Sequence, residues 1–344
     1  MKATITFYKI QRCGLYKRKG NGVQPLFLGV QDMLDELKNW ASGRDLVDTD
    51  IFQNKNKKSL CTYLADLKST SDSAIMVLWN QVPHSDSGVL SLPNRAKFGQ
   101  IKQADTNAVK ADSIPGYPTY FWFIPRLNVF ATICFDTNVN GRLAMESYVK
   151  QFMCQFSSYV VKELNQQTNT LEIKGYSIDP TNSAEKIYHY PPSFYSLIYP
   201  KAQELDMLKI QAPQIKKITK RAVCSYSNPS SLSMFQKVTG LFTGLPQQLT
   251  SNQDFSVKAE VSVNGLTEAE VQGLFDEWEK DVDTWQSLDY GFRIGDKQYW
   301  FSHAAVKWEG DLSLSFTEQN SFGNIDALLS ELESKKSSIL STIH

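Results

Sequence analysis

Residues 117–135, YPTYFWFIPRLNVFATICF, constrain the fold of this chain more than any other segment. They form its longest apolar stretch, which is interrupted by Pro118, Pro125, Arg126 and Asn128. These interruptions exclude a membrane-spanning helix, which needs about 20 consecutive apolar residues. Aromatic and β-branched residues on both sides of the break favour extended backbone. We therefore predict two buried strands in this region.

A second apolar run, residues 74–80 (AIMVLWN), has the length of a buried strand. Residues 89–92 are its expected partner across a turn at 84–88, and the pair predicts a central antiparallel sheet. The longest helical pattern covers 142–164, where apolar residues recur mostly at three- and four-residue steps. We expect its apolar face to pack on that sheet.

Shorter local patterns predict the other elements. Residues 3–8 alternate and lead through a basic turn at 17–22 to a second predicted strand at 24–28. Thr267 and Glu270 have the spacing of a capping box, which predicts that a helix begins there. The further predicted elements are a helix over 32–40, strands over 255–263 and 291–301, and a helix over 324–343. These patterns indicate the α+β class, with mainly antiparallel sheets flanked by helices.

Length and composition indicate a fully folded, two-domain protein. The chain has 344 residues, and 42% hydrophobic with 21% charged residues excludes a disordered chain. Residues 1–20 contain charges and tyrosines where a signal peptide needs an unbroken apolar run. The cysteines have no metal-ligand spacing and are expected to be reduced thiols: Cys13, Cys61, Cys134, Cys154 and Cys224. We therefore expect a cytoplasmic protein.

No catalytic or metal-binding motif is recognisable in the sequence. It contains no GxSxG, and its four histidines lack ligand spacing. The turn Gly20-Asn21-Gly22 lacks the Gly-Lys-Ser/Thr of a phosphate loop. We expect no enzymatic activity, no cofactor and no metal. A degenerate nuclease centre at Glu172 and Lys174 is the alternative left open, because they form a Glu-x-Lys on a strand-like segment.

Positive charge is unevenly distributed along the chain. Residues 250–344 contain 7 Lys and Arg against 17 Asp and Glu, a balance of −10, which leaves +10 on residues 1–249. Such asymmetry is either ordinary solvated surface or the mark of a polyanionic partner. Cationic loops can follow a phosphate backbone without base-specific geometry. DNA contacts are therefore predicted for three clusters: Arg12, Lys17, Arg18 and Lys19; Lys55, Lys57 and Lys58; Lys216, Lys217, Lys220 and Arg221.

Several segments occur in an order that resembles a known family. The most similar stretch is 116–123, GYPTYFWF, followed by 129–132 and Phe135. The other similar segments are Phe7-Tyr8 before the basic turn, the leucine-rich first helix, Ser59-Leu60, 234–238 with Gly240, 257–263 and 312–314. In this order of segments the chain resembles the RexA family of lambdoid prophage exclusion proteins, over most of its length.

The resemblance implies a two-domain homodimer that binds DNA with little sequence preference and takes part in the exclusion of other phages. It implies a fold similar to that of the ring-forming recombination regulator RdgC. The implied domains are a larger discontinuous one, 1–175 and 251–344, and a smaller dimerisation domain, 176–250. A small membrane protein encoded nearby is a further implied partner.

Residues 231–245 contain more apolar side chains than a small domain can bury alone, which predicts a dimer interface. The expected interface residues are Met234, Phe235, Val238, Leu241 and Phe242. Packing of these residues on the helix over 268–282 is the alternative. The aromatic stretch 188–199 leaves open another function, a protein-interaction module that senses a phage protein.

Overall fold

The computed structural model describes residues 1–17, 24–52, 60–82, 90–101, 104–105, 112–135, 140–182, 184–224, 255–281, 289–301, 305–312 and 323–343. It divides into two compact units, a first unit of Met1–Ser196 with Lys307–Thr342 and a second unit of Leu197–Val306. The second unit begins at Leu197, whereas the predicted smaller domain begins at residue 176. The second unit ends at Val306, beyond the predicted end at 250. The chain returns to the first unit after the second, so the first unit is discontinuous.

Both helices and strands occur, and every described strand register is antiparallel, which confirms the predicted α+β class. The strands are β1 (Lys2–Gly14), β2 (Thr62–Ser69), β3 (Ala74–Gln81), β4 (Ser91–Pro93), β5 (Ser113–Ile124), β6 (Val129–Phe135), β7 (Val160–Asn165), β8 (Thr170–Tyr176), β9 (Ser193–Ile198), β10 (Ile215–Cys224), β11 (Phe255–Ser262), β12 (Asp289–Ile294), β13 (Lys297–Trp300) and β14 (Lys307–Asp311). The helices are α1 (Val30–Ala41), α2 (Arg142–Gln155), α3 (Ala202–Ile210), α4 (Glu268–Asp281) and α5 (Ile325–Leu340).

Within the described residues, the strands form three sheets. The largest has the order β14-β1-β6-β5-β3-β2, with β4 added at β5 and β9 at β1. The second sheet has the order β11-β10-β12-β13, and β7 pairs with β8 in a two-stranded sheet. Helix α1 contacts β1, and α5 contacts β2 and β3. No described helix is long and apolar enough to cross a membrane.

The core of the first unit lies on both faces of β3, β5 and β6. Successive side chains of a strand point to opposite faces, yet all of 74–80 are buried, so both faces of β3 are covered. Trp122 and Phe123 of β5 and Phe130 of β6 are fully buried. The two buried strands predicted from residues 117–135 are therefore confirmed.

The predicted partner of β3 is wrong. Its neighbours are β2 and β5, whereas β4, from the predicted partner segment, pairs with β5. Strand β5 has 12 residues and aligns 116–123 with the whole of β3, a longer ladder than the three residues of β4 provide.

The helix predicted over 142–164 is wrong in its second half. Helix α2 ends at Gln155, and β7 begins at Val160. Ser157 donates a hydrogen bond to the carbonyl of Met153 (2.9 Å), and the β-branched Val160 and Val161 favour a strand. The strand predicted over 291–301 is likewise divided into β12 and β13.

The predicted capping box at the start of α4 is confirmed. Thr267 Oγ1 accepts from the Glu270 amide (3.2 Å), and the Glu270 carboxylate accepts from the Thr267 amide (2.7 Å), which completes the predicted capping box of α4. The Asn324 side chain accepts from the amide of Ala327 and caps α5.

Candidate nucleic-acid interface

The four-stranded sheet of the second unit has two chemically different faces. On one face Phe292 of β12 packs 4.7 Å from Phe301, ring centre to ring centre, and Phe275 of α4 lies 5.2 Å from Phe301. Trp278 of the same helix is buried beside them. We name this the helix face.

The opposite face is polar and in large part exposed. The alternation along each strand assigns its residues. We name it the open face, and its described members are Lys217, Thr219, Arg221, Lys258, Glu260, Ser262, Asp289, Gly291, Arg293, Gln298 and Trp300.

Cations lie directly opposite one another across the strands of the open face. Lys217 of β10 is opposite Arg293 of β12, and Arg221 of β10 is opposite Lys258 of β11. Residues opposite one another in an antiparallel pair have Cβ atoms about 4.5–5.5 Å apart, and like charges there are destabilising. The sheet therefore holds two repulsive cationic pairs.

Two acidic residues offset this repulsion only in part. The Glu260 carboxylate lies 2.8 Å from Lys258 Nζ and 3.8 Å from Lys217 Nζ. The hydrogen bond from Lys258 is the main reason that the pKa of Glu260 is lowered. Asp289 lies 3.7 Å from Arg221. The described open face thus has four cations against two carboxylates, a balance of +2.

An aromatic platform lies between the two cationic pairs. The indole of Trp300 crosses Gly291, where an added Cβ would lie only 2.9 Å from its ring carbons. The Arg221 guanidinium lies over the same ring, 4.6 Å from its centre, and also contacts Asp289. Because glycine leaves this space open, the Trp300 indole lies across the strand with the Arg221 guanidinium over it.

The structure divides the basic cluster predicted on β10. Lys217 and Arg221 are on the open face, whereas Lys220 is on the helix face, 3.4 Å from Glu277 and 4.9 Å from the Tyr290 ring centre. Burial opposes the charge of Lys220, but hydrogen bonds with Tyr290 and Glu277 outweigh it and raise its pKa. Lys216 is exposed, at the register shift between Ile215 and Lys217.

The other predicted cations belong to the first unit or lie outside the described residues. Arg12 and Lys17 are exposed, and the Arg12 guanidinium lies 4.5 Å over the ring of Tyr16. The predicted contacts outside the described residues are Arg18, Lys19, Lys55, Lys57 and Lys58. The predicted interface residues Met234, Phe235, Val238, Leu241 and Phe242 also lie outside them.

Sequence reasoning missed three residues of the open face, Lys258, Arg293 and Trp300. All come from 250–344, the region with net charge −10, so the overall charge balance pointed away from them. The alternation of β11 was the available signal, because it places Lys258 on one face with Glu260.

The residues of the alternative functions lie elsewhere. Glu172 is on β8 and accepts from the Asn165 amide (2.8 Å), while Lys174 pairs with Glu163 (3.0 Å) on the same exposed hairpin. Among the described residues, no group of three or more His, Cys, Asp or Glu side chains could hold a metal ion. In the predicted protein-interaction stretch Phe194 is buried and Tyr195 is exposed.

A cleft of about 760 Å³ lies in the first unit, beside β1 and the start of α1. Asp32 in its wall accepts from the Leu28 amide (2.8 Å) and from the Tyr159 hydroxyl (2.9 Å). Arg126, which also lines the cleft, pairs with Asp72 at 3.3 Å. Asp32 and Arg126 are therefore engaged with the protein itself.

Comparison with models of protein families, with curated proteins and with solved structures finds no match for this chain.

Proposed function

We propose that this chain is a non-enzymatic, sequence-tolerant DNA-binding protein of prophage-type phage exclusion, and that the open face contributes to its DNA interface. The observation that supports DNA binding best is the two pairs of facing cations, Lys217 with Arg293 and Arg221 with Lys258. Placing like charges opposite one another costs stability, and a polyanion between them turns repulsion into attraction.

The chemistry of the open face suits phosphate contacts. The two cationic pairs are four residues apart along β10, which is about 13 Å in an extended strand. Lysine and arginine that contact phosphates fix position on a nucleic acid but read no base sequence. A protein that binds through such contacts therefore accepts DNA of unrelated sequences.

The role in phage exclusion rests on the resemblance to the RexA family. We propose with it a cytoplasmic homodimer that acts together with a small membrane protein and responds to a phage protein. Arg12 and Lys17 of the first unit are further proposed DNA contacts.

The first experiment is a binding titration with labelled duplexes of unrelated sequence at about 50 and about 200 mM salt. The test variant combines Lys217→Gln, Arg221→Gln, Lys258→Gln and Arg293→Gln. We expect wild type to bind all duplexes similarly with steep salt dependence, and the variant to lose affinity on all of them by the same factor. Unchanged affinity in the variant would contradict the role of the open face, and cleavage of the DNA would favour the nuclease alternative.

The role in defence needs a test in cells. We expect plaque formation to be restricted in cells that express wild type, with its neighbouring genes, and to recover with the four-residue variant at equal protein level. Equal restriction by both proteins would show that phage exclusion does not depend on DNA binding by the open face.

A further inference from the structure

We propose that the open face binds single-stranded nucleic acid, with a base stacked on the platform formed by Trp300 and Arg221. This inference rests on the proposed function, because the same face supplies the phosphate contacts. Beyond that function, the ligand is single-stranded and one of its bases has a defined position.

The platform is held in place before any ligand binds. Trp300 lies across Gly291, and the Arg221 guanidinium contacts both the indole and the Asp289 carboxylate. Trp300 is nevertheless half-exposed and Arg221 exposed, so part of the stacked pair faces solvent. Bases stack on aromatic side chains and also on arginine guanidinium planes.

The position of the platform matches the geometry of a nucleotide chain. Trp300 lies opposite Gly291, and the same row continues to Thr219 and Glu260. The row of Lys217 with Arg293 lies on one side, and the row of Arg221 with Lys258 on the other. Rows of one face are about 7 Å apart. A base stacked on this platform therefore has Lys217 and Arg293 on one side and Lys258 on the other for its flanking phosphates.

This combination favours single strands over duplexes. In a duplex each base is already stacked and paired, and reaching a side-chain platform requires flipping it out, which costs the free energy of its stacking and pairing. A single strand presents its bases without that cost, and a basic groove with aromatic side chains is the usual way to bind it without sequence preference. The duplex can contact only the cations of this face.

The chain offers a matched control for Trp300. Trp308 of β14 is also half-exposed and also lies across a glycine, Gly310, where an added Cβ would lie 2.4 Å from the indole. It belongs to the sheet of the first unit rather than to the open face. Trp308→Leu therefore controls for the general effect of removing such an indole.

The experiment compares oligo(dT) with a duplex of equal length by fluorescence anisotropy, on the full chain. We expect Trp300→Leu to weaken oligo(dT) binding by about five- to 100-fold and to leave duplex binding unchanged. Trp300→Phe should retain most of the affinity, since a phenyl ring also stacks, and Trp308→Leu should have no effect. Thermal unfolding of each variant verifies that it is folded.

A second measurement decides the case in which Trp300→Leu does not fold. We expect oligo(dT) to quench the intrinsic fluorescence of wild type more than that of Trp300→Phe, because the contacted indole is missing from the variant. Equal quenching of both proteins, equal losses on single strand and duplex, or equal competition by polyglutamate would overturn the inference while leaving duplex binding intact. Absence of any nucleic-acid binding by wild type would overturn the proposed function as well.

Discussion

The two large sheets of this protein differ in where they carry charged side chains. In the sheet of the first unit, β3 is apolar on both faces, and Asp66 of β2 is a carboxylate buried to 97%. In the sheet of the second unit only the helix face is apolar, and the open face sets cations opposite cations. Burial penalises a charge through lost hydration, whereas exposed like charges repel only weakly in water.

This difference supports the proposed role of the open face. Strands covered on both faces, such as β3, maximise apolar burial and form the core of their unit. A sheet with one open face retains polar groups that add nothing to the core. Where those groups also repel one another, as Lys217 and Arg293 do, stability alone does not account for them.

The largest expected effect concerns one of the buried tryptophans of the first sheet. Trp122 is fully buried, and its indole donates to Ser73 Oγ (2.9 Å). We expect Trp122→Ala to lower the free energy of unfolding by about 3–5 kcal/mol. Trp300→Leu, on the open face, should cost less than about 1 kcal/mol, because the side chain is only half-buried. Urea unfolding followed by circular dichroism measures both, and equal losses would remove the contrast between the two sheets.

The second expected effect is a pH dependence at Asp66. Burial is the main reason that the pKa of its carboxyl is raised to about 6, and Lys68 opposes this shift. Because the folded pKa lies above the unfolded one, the wild type gains stability as pH falls through 6 and loses it as pH rises.

Asp66→Asn should therefore be more stable than wild type at pH 8, by on the order of 2 kcal/mol, and the difference should vanish near pH 4. The amide of Leu67, which donates to Asp66 Oδ1 at 2.8 Å, retains an acceptor in the asparagine. Urea unfolding of both proteins across this pH range measures the difference. A difference that does not change with pH would show that the carboxyl titrates normally in the folded chain.

A smaller effect of opposite sign is expected on the open face. Arg293→Gln removes the repulsion with Lys217 and should raise the free energy of unfolding by about 0.2–1 kcal/mol. Lys220→Gln, on the helix face, should lower it by less than about 1 kcal/mol, because it removes the contact with Glu277. Both effects should shrink at high salt. A lower free energy of unfolding in Arg293→Gln would show that Lys217 and Arg293 do not destabilise the sheet by repulsion.

Sequence alone predicted the parts of the fold that local patterns determine. The run 74–80 became β3, and the spacing of Thr267 and Glu270 marked the start of α4. The end of α2 was not predicted, because apolar spacing continued from the helix into β7. The neighbours of β3 depend on pairing between distant segments, which no local pattern shows.

The open face was predictable only in part for the same reason. Lys217 and Arg221 belong to a basic cluster that is visible in the sequence. That Lys220 lies on the opposite face follows only once residues 215–224 are known to form a strand. Arg293 and Trp300 join them through the pairing of β10, β12 and β13, across more than 70 residues of sequence. Only the folded sheet brings these side chains together.

The most direct test of the open face compares two lysines on the same strand. Lys217 and Lys220 are three residues apart on β10 and are on opposite faces. The salt dependence of duplex binding is measured for wild type, Lys217→Gln and Lys220→Gln. We expect Lys217→Gln to reduce the slope of log affinity against log salt by about 0.9, and Lys220→Gln to leave it unchanged. Equal slopes in all three proteins, or equal reductions in both variants, would contradict an interface on the open face.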